Sequence, residues 1–108
     1  MEVSNIGQAA DWFEVLQTTE RTQIAMMTLQ PGDETGATAQ AHEKSDQVLL
    51  MLDGELNGEV GEHRPRLKKG DTIVIPAGTK HRFANRGSES AVTFNVYSPP
   101  AYPAGTKG

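Results

Sequence analysis

Residues 70–85 read GDTIVIPAGTKHRFAN, and this stretch carries the clearest structural signal in the chain. Gly70 turns the chain into an apolar run, and Pro76 ends that run because proline has no backbone N–H to donate to a neighbouring strand. A turn follows, in which Gly78 is free to adopt a positive φ. His81 then lies just inside the next apolar segment. The stretch therefore predicts two short strands, joined by a tight turn, with a histidine at the start of the second.

The spacing within this stretch resembles the second conserved motif of the cupin superfamily. That motif runs glycine, five residues, proline, one residue, glycine, two residues, histidine, three residues, asparagine. Its fixed positions correspond here to Gly70, Pro76, Gly78, His81 and Asn85. Every fixed position is matched, so the resemblance is specific.

The first cupin motif is only partly matched. Gly36 and His42 fit its opening, and the six residues between Gln47 and Gly54 fit its end. Lys44 stands where the family has its second histidine, and Gln47 stands where it has a glutamate. The spacing between these two positions is also one residue short.

The resemblance covers roughly residues 22–97 and implies an all-β fold, a small antiparallel jelly-roll barrel of cupin type. Eleven glycines and six prolines fall in short clusters, which independently suggests an all-β barrel or sandwich. We predict one domain over residues 1–108, with a barrel core over 12–97 and a proline-rich tail over 98–108. The tail is expected to run extended over the surface, anchored by Tyr97 and Tyr102. Strands are predicted near residues 12–18, 22–29, 38–43, 47–53, 56–60, 64–67, 72–76, 80–84 and 91–97.

Asp53-Gly54 predicts a tight hairpin turn, because a type I′ turn needs positive φ at both central positions. After this turn Leu56 alternates with polar residues, so one strand face should meet the core and the other water. Before it, the run 48–52 is apolar on both faces, which suggests that the second face meets either a closed interior or a partner subunit. We therefore expect a two-fold homodimer.

Composition excludes several classes of protein. Ten basic and fourteen acidic residues give a net charge of −4, which argues against a nucleic-acid-binding surface. The chain has no cysteine, so disulfides and thiolate metal sites are excluded. No apolar run is long enough for a membrane helix, and no signal peptide is recognisable. These features predict a cytoplasmic protein with neither nucleic-acid nor membrane partners.

The resemblance implies a site inside the barrel, where cupins usually hold one divalent metal through three histidines and a glutamate. The residues that match are His42, Gln47 and His81, so they are the candidate ligands for a transition metal (Fe, Mn, Ni or Zn). Because i and i+2 share a strand face, Lys44 should point inward with His42. An ammonium there would weaken metal binding and would suit an anionic or carbonyl-bearing ligand. Asp46 is the carboxylate best able to complete the site if the shortened loop shifts its register.

Three functions remain open from the sequence. The first is a cupin-barrel protein that binds a small molecule in its interior through His42, Lys44 and His81, with or without a weakly held metal. The second is a metal-dependent cupin enzyme, of dioxygenase or isomerase type, with a degenerate ligand set. The third is a non-catalytic interaction module. No catalytic residue is assigned, because the fold alone does not determine the function.

Overall fold

The computed structural model describes residues 1–108, which form eight strands in two antiparallel sheets. The larger sheet has the order β1-β2-β8-β3-β6 and the smaller one the order β5-β4-β7. One 3₁₀ turn at Ile6–Gln8 is the only helical element, so no helix could cross a membrane. The strands are β1 Phe13–Thr18, β2 Gln23–Leu29, β3 Asp46–Asp53, β4 Glu55–Val60, β5 Arg66–Lys68, β6 Thr72–Ile75, β7 His81–Ala84 and β8 Ala91–Ser98.

The core lies between the inner faces of the two sheets. β8 alternates strictly between buried and partly buried positions along Ala91–Tyr97, as expected for a strand with one face in a core. The smaller sheet contributes Leu56, Leu67 and Phe83 from its inner face. The full cluster comprises Phe13, Val15, Ala25, Met27, Leu29, Leu49, Met51, Leu56, Leu67, Ile75, Phe83, Ala91 and Tyr97.

The prediction of an antiparallel all-β fold is confirmed, but the sheets do not close into a barrel. The segment 38–43, predicted as a strand, makes only a single bridge between Gln40 and His81. Thr38, Gln40 and Glu43 are exposed, so pairing along this segment would bury little apolar surface. It therefore runs as a loop over β7 and leaves the second sheet with three strands.

The prediction of a hairpin at Asp53-Gly54 is wrong. β3 and β4 lie in different sheets, so Gly54 is a corner at which the chain crosses from one sheet to the other. Gly54 has a φ of 74°, but only glycines have a positive φ in this structure, so the φ of Asp53 is negative. A type I′ turn needs a positive φ at both of its central residues and is therefore ruled out. A Cβ at Gly54 would overlap the carbonyl oxygen of Ser90 and lie 2.9 Å from the Cα of Ala91. The corner is fixed by this close approach to the start of β8.

The C-terminal tail returns along the edge of β1. The backbone N–H of Val15 donates to the carbonyl of Thr106 at 2.8 Å, and that of Gly108 donates to the carbonyl of Phe13 at 2.7 Å. Tyr102 packs against Phe13 with ring centroids 4.8 Å apart. The tail therefore covers part of an otherwise open sheet edge, as native proteins commonly arrange.

Candidate ligand-binding cavity

A cavity of about 430 Å³ opens between the two sheets, close to the C-terminal tail. The larger sheet contributes Met27, Gln47 and Tyr97 to its wall, and β7 contributes His81. Most of the remaining wall comes from the loop that carries His42 and from the tail, with Trp12, Phe13 and Phe83 completing it. No aspartate, glutamate, lysine or arginine lines the cavity, so its side chains carry no fixed charge.

His42 and His81 face each other across this cavity. Their ring centroids are 5.1 Å apart and their planes are inclined by 47°. The backbone holds both rings in place: the carbonyl of His42 accepts a 2.8 Å hydrogen bond from Gly78, and His81 exchanges two backbone hydrogen bonds with Gln40. Both residues are partly buried. The spacing of the two motifs therefore brings the two histidines together.

A hydrogen bond sets the tautomer of His81, and burial lowers the pKa of His42. Nδ1 of His81 lies 2.9 Å from the carbonyl oxygen of Thr79, which can only accept, so Nδ1 carries the proton. In the neutral ring Nε2 is then an acceptor. Burial, and secondarily the charge that His81 would carry, lower the pKa of His42. His42 is consequently neutral at physiological pH.

Gln47 is buried at the cavity wall, and one of its two polar atoms has no partner. Its Nε2 donates a 3.0 Å hydrogen bond to Oδ1 of Asn95 on the neighbouring strand. Its Oε1 is buried without any hydrogen-bond partner in the protein, and it is the only side-chain polar atom in this condition. A buried acceptor without a partner lowers the free energy of unfolding by roughly 1–3 kcal/mol.

Aromatic rings form the apolar part of the wall. The ring of His42 lies edge-on to Tyr97 at 5.2 Å and to Tyr102 at 5.4 Å. Burial raises the pKa of both tyrosines, so both hydroxyls stay protonated and can donate or accept. The sequence predicted these two tyrosines as anchors of the tail, but it did not predict that they line the cavity.

The expectation that Lys44 points inward is not met. Lys44 is exposed and does not line the cavity. The chain bends at residues 43–44 and β3 begins only at Asp46, so the i, i+2 alternation of a strand does not apply between His42 and Lys44. The buried side chains of this stretch are instead Ser45 and Gln47.

Asp46 and His63 also lie outside the cavity. Oδ1 of Asp46 accepts a 2.9 Å hydrogen bond from the backbone of Ala77, which ties the start of β3 to the turn after β6. His63 is exposed, as the polar stretch around it predicts. Trp12, the only tryptophan, does line the cavity, and no sequence motif pointed to it.

The cavity residues do not fit the divalent metal that the resemblance implies. His42 and His81 carry two imidazoles and Gln47 an uncharged amide, but no aspartate or glutamate side chain joins them. No group of three or more histidine, cysteine, aspartate or glutamate residues comes together anywhere in the chain. A neutral two-histidine set lacks the anionic donor of the family's site, which weakens its hold on a divalent ion.

Comparison with known proteins places this arrangement in a family. The sequence profile described as Cupin domain matches residues 25–97. The chain belongs to the cupin family. A relative in Bacillus subtilis (strain 168), the uncharacterized protein YrkC, is 30% identical over 97 residues, which is 84% of this cupin chain and 51% of YrkC. The cupin chain spans about half the length of the curated relatives it matches.

Solved structures of other proteins share this fold. A crystal structure from Bacillus halodurans has a TM-score of 0.88 at 27% identity and covers 98% of this chain and 86% of that one. A sugar phosphate isomerase of the cupin superfamily from Silicibacter pomeroyi has a TM-score of 0.65 at 21% identity, covering 74% and 52% of the two chains. The second similarity concerns the fold alone.

Proposed function

We propose that this cupin binds an uncharged small molecule in the cavity between its two sheets. The observation that carries the proposal is the group of rings on the cavity wall, where the centroid of His42 lies 5.1 Å from that of His81, 5.2 Å from that of Tyr97 and 5.4 Å from that of Tyr102. A molecule bound among these rings would remove their apolar surface from water, which favours binding. The cavity volume of about 430 Å³ also falls in the range typical of small-molecule sites.

The cavity wall has no aspartate, glutamate, lysine or arginine side chain, and this favours an uncharged ligand. The expectation of an anionic or carbonyl-bearing ligand depended on an inward ammonium, and Lys44 is exposed. Burying a charged ligand among neutral aromatic and imidazole groups would leave that charge without a partner, which is costly. Aromatic rings on the wall instead favour a flat, largely apolar ligand body.

A metal-dependent cupin enzyme receives less support. His42, Gln47 and His81 share the cavity, as such an enzyme would need, but the set contains no carboxylate. The proposed binding function requires no metal, and we derive no reaction step through one.

The proposal includes a homodimer that forms through the outer face of the larger sheet. Ile24, Val96, Val48 and Val74 stand opposite one another in register across four adjacent strands. Val48 is 37% exposed and Val74 is 63% exposed. A flat aliphatic row of this kind, with no charge to direct a different partner, suits a second copy of itself across a two-fold axis.

An NMR titration tests cavity binding directly. Uniformly ¹⁵N-labelled protein is titrated with a panel of small aromatic alcohols, carbohydrates and carboxylates at millimolar concentrations. We expect one neutral class to shift the backbone amides of Gln40, His81 and Tyr97, and to change the fluorescence of Trp12. Tyr102→Ala should weaken these effects, whereas His63→Ala, a change at the surface, should not. The absence of cavity shifts with every class would overturn the proposal.

A further inference from the structure

One part of the cavity wall, the segment 36–39, has no backbone hydrogen bonds to the rest of the protein. Gly36 and Thr38 of this segment line the cavity. Residues 35 and 40, on either side of it, form backbone hydrogen bonds to β7, but no backbone group of 36–39 pairs with another backbone group. The largest side chain of the segment is threonine, so little apolar surface holds it in place. Its position must depend on a side chain from elsewhere in the fold.

That side chain is Arg82, on β7. Its Nη1 donates to the backbone carbonyl of Ala37 at 2.6 Å and to that of Gly36 at 3.3 Å. Nη1 carries two protons, so it can serve both acceptors at once. These are the only two hydrogen bonds that the segment 36–39 forms.

Glu59 orients the guanidinium of Arg82. The two residues stand opposite each other in register on β4 and β7, and Nη2 of Arg82 donates to Oε1 of Glu59 at 3.0 Å. This hydrogen bond lowers the pKa of Glu59 and raises that of Arg82, so both groups stay charged. β4 is the central strand of the smaller sheet, so the carboxylate stands on a well-supported element. A partly exposed ion pair adds little to stability, and its effect here is on the direction of the guanidinium.

A second ion pair on the same sheet lacks the contact to the cavity wall. Arg66, on β5, donates to Glu55 at 2.7 Å and 2.9 Å, and its guanidinium has no other hydrogen-bond partner. The side chains of this pair are 62% and 45% exposed, against 25% and 34% for Arg82 and Glu59. The chain therefore offers a matched control for each substitution at Arg82.

We infer that Arg82, oriented by Glu59, is a positioning residue that holds the segment 36–39 in the cavity wall and thereby sets how tightly the cavity binds its ligand. The inference rests on the proposed function and names a residue that controls the same site. A wall that is ordered before the ligand arrives reduces the conformational entropy lost on binding. Without Arg82 the ligand itself would have to order the segment, and binding would be weaker.

Chemical labelling of the histidines tests the position of the wall without any ligand. Diethyl pyrocarbonate acylates accessible imidazoles; His42 and His81 lie in the cavity, whereas His63 is exposed. In Arg82→Met we expect the labelling rates of the two cavity histidines, measured by mass spectrometry at pH 7, to rise at least about threefold relative to His63. Arg66→Met should keep the wild-type ratio. A purely structural role of Arg82 would lower the free energy of unfolding without changing this ratio, and an unchanged ratio would overturn the inference.

Arg82→Lys serves if Arg82→Met does not fold. Lysine keeps the positive charge, but its single nitrogen cannot replace the two guanidinium nitrogens that reach Glu59 and the two carbonyls. The labelling ratio should therefore change in the same direction as in Arg82→Met. A wild-type ratio in Arg82→Lys would show that charge alone suffices and would overturn the role assigned to the guanidinium.

The affinity for phenol, an uncharged aromatic probe, connects the wall to ligand binding. In ¹⁵N NMR titrations we expect Arg82→Met to bind phenol at least about fivefold more weakly than wild type, and Arg66→Met to match wild type. Because Glu59 acts through Arg82, Glu59→Ala should weaken binding on its own but add nothing to Arg82→Met. Additive losses would overturn the role of Glu59. If neither phenol nor any other small molecule of the panel shifts the cavity amides, the proposed function fails, whereas the labelling ratio still decides whether Arg82 holds the wall.

Discussion

Gln23 forms hydrogen bonds to the backbone of Tyr102 through both polar atoms of its side chain. Its Nε2 donates to the Tyr102 carbonyl at 2.8 Å, and its Oε1 accepts from the Tyr102 N–H at 3.1 Å. Gln23 is fully buried on β2, where it also contacts Thr18 through Nε2 at 3.0 Å. One buried amide thus joins the larger sheet to the tail segment that forms part of the cavity wall.

Gln23→Leu should therefore release the tail. Leucine has a similar size but leaves the Tyr102 backbone groups unpaired, so the free energy of unfolding should fall by roughly 2–4 kcal/mol. Urea denaturation followed by Trp12 fluorescence measures this loss, and hydrogen exchange at Val15 reports detachment of the tail. Thr18→Val removes only the hydrogen bond between Gln23 and Thr18, and it should lower the free energy of unfolding by less than about 1 kcal/mol. Slow exchange at Val15 in Gln23→Leu would show that the tail is held by other contacts.

His42 should make the protein less stable in mild acid. Because the pKa of His42 is lowered in the folded state, the unfolded chain binds the proton more readily. The contribution to stability is complete above the ordinary value of 6.5, and it is lost as the pH falls from there through the folded pKa. Urea denaturation at pH 7.5 and 5.5 should show this loss, and His42→Phe should reduce it. His63→Gln, on the surface, should behave as wild type; an unchanged pH dependence in His42→Phe would contradict the prediction.

Gly54→Ala and Gly70→Ala form a matched pair of substitutions. Both glycines have positive φ, 74° and 91°, so alanine is strained by about 1 kcal/mol at either position. At Gly54 the new Cβ would also overlap the Ser90 carbonyl, whereas at Gly70 it would meet open space. We expect Gly54→Ala to destabilise the protein by more than about 3 kcal/mol and Gly70→Ala by only about 1 kcal/mol, as measured by thermal unfolding. Equal losses would mean that the sheet corner moves to accommodate a side chain.

The double variant Val48→Glu, Val74→Glu should separate the proposed homodimer. Four carboxylates would meet across the two-fold axis, without partners, where four aliphatic side chains met before. Sedimentation velocity at tens of micromolar should show a dimer for wild type and a monomer for the variant. Val3→Glu, at a more exposed valine in the N-terminal segment, should remain dimeric. A monomeric wild type would refute the interface.

Gln47→Glu should create metal affinity that Lys44→His does not. Glutamate at position 47 would give the two imidazoles the anionic donor they lack, whereas position 44 lies outside the cavity. Calorimetric titration with Ni²⁺ or Mn²⁺ should show at least about tenfold tighter binding by Gln47→Glu than by wild type. Lys44→His should match wild type; a gain in that variant would mean that residue 44 can turn inward.

The sequence predicted best where local chemistry decides the structure. β6 ends at Ile75, directly before Pro76, and β7 begins at His81, as the motif in residues 70–85 indicates. Gly78 has the expected positive φ, 81°. These features depend on a missing donor and a missing Cβ, which act within a few residues. They can therefore be predicted without knowledge of the rest of the chain.

Predictions were wrong where contacts between residues far apart in the sequence determine the structure. Nothing near Asp53-Gly54 distinguishes a hairpin from a crossing between sheets, because the apolar alternation of the next strand is the same in both. The distinction arises from the close approach of Gly54 to Ser90, far along the chain. Similarly, the bend that turns Lys44 outward comes before β3 begins, where strand alternation gives no guidance. The hydrogen bond between Gln47 and Asn95 was also unforeseeable, since it depends on the register of β3 and β8.

The position of β8 has a consequence for how the chain folds. β8 lies between β2 and β3, pairing Met26 with Phe94 on one side and Leu50 with Phe94 on the other. β2 and β3 have no hydrogen bonds to each other, so the centre of the larger sheet cannot form until Ala91–Ser98 arrives. On the ribosome, the earlier strands must wait with their apolar faces uncovered until Ala91–Ser98 has emerged. Such long-range pairing is slow to form, so we expect the larger sheet to assemble only after synthesis has passed Ser98.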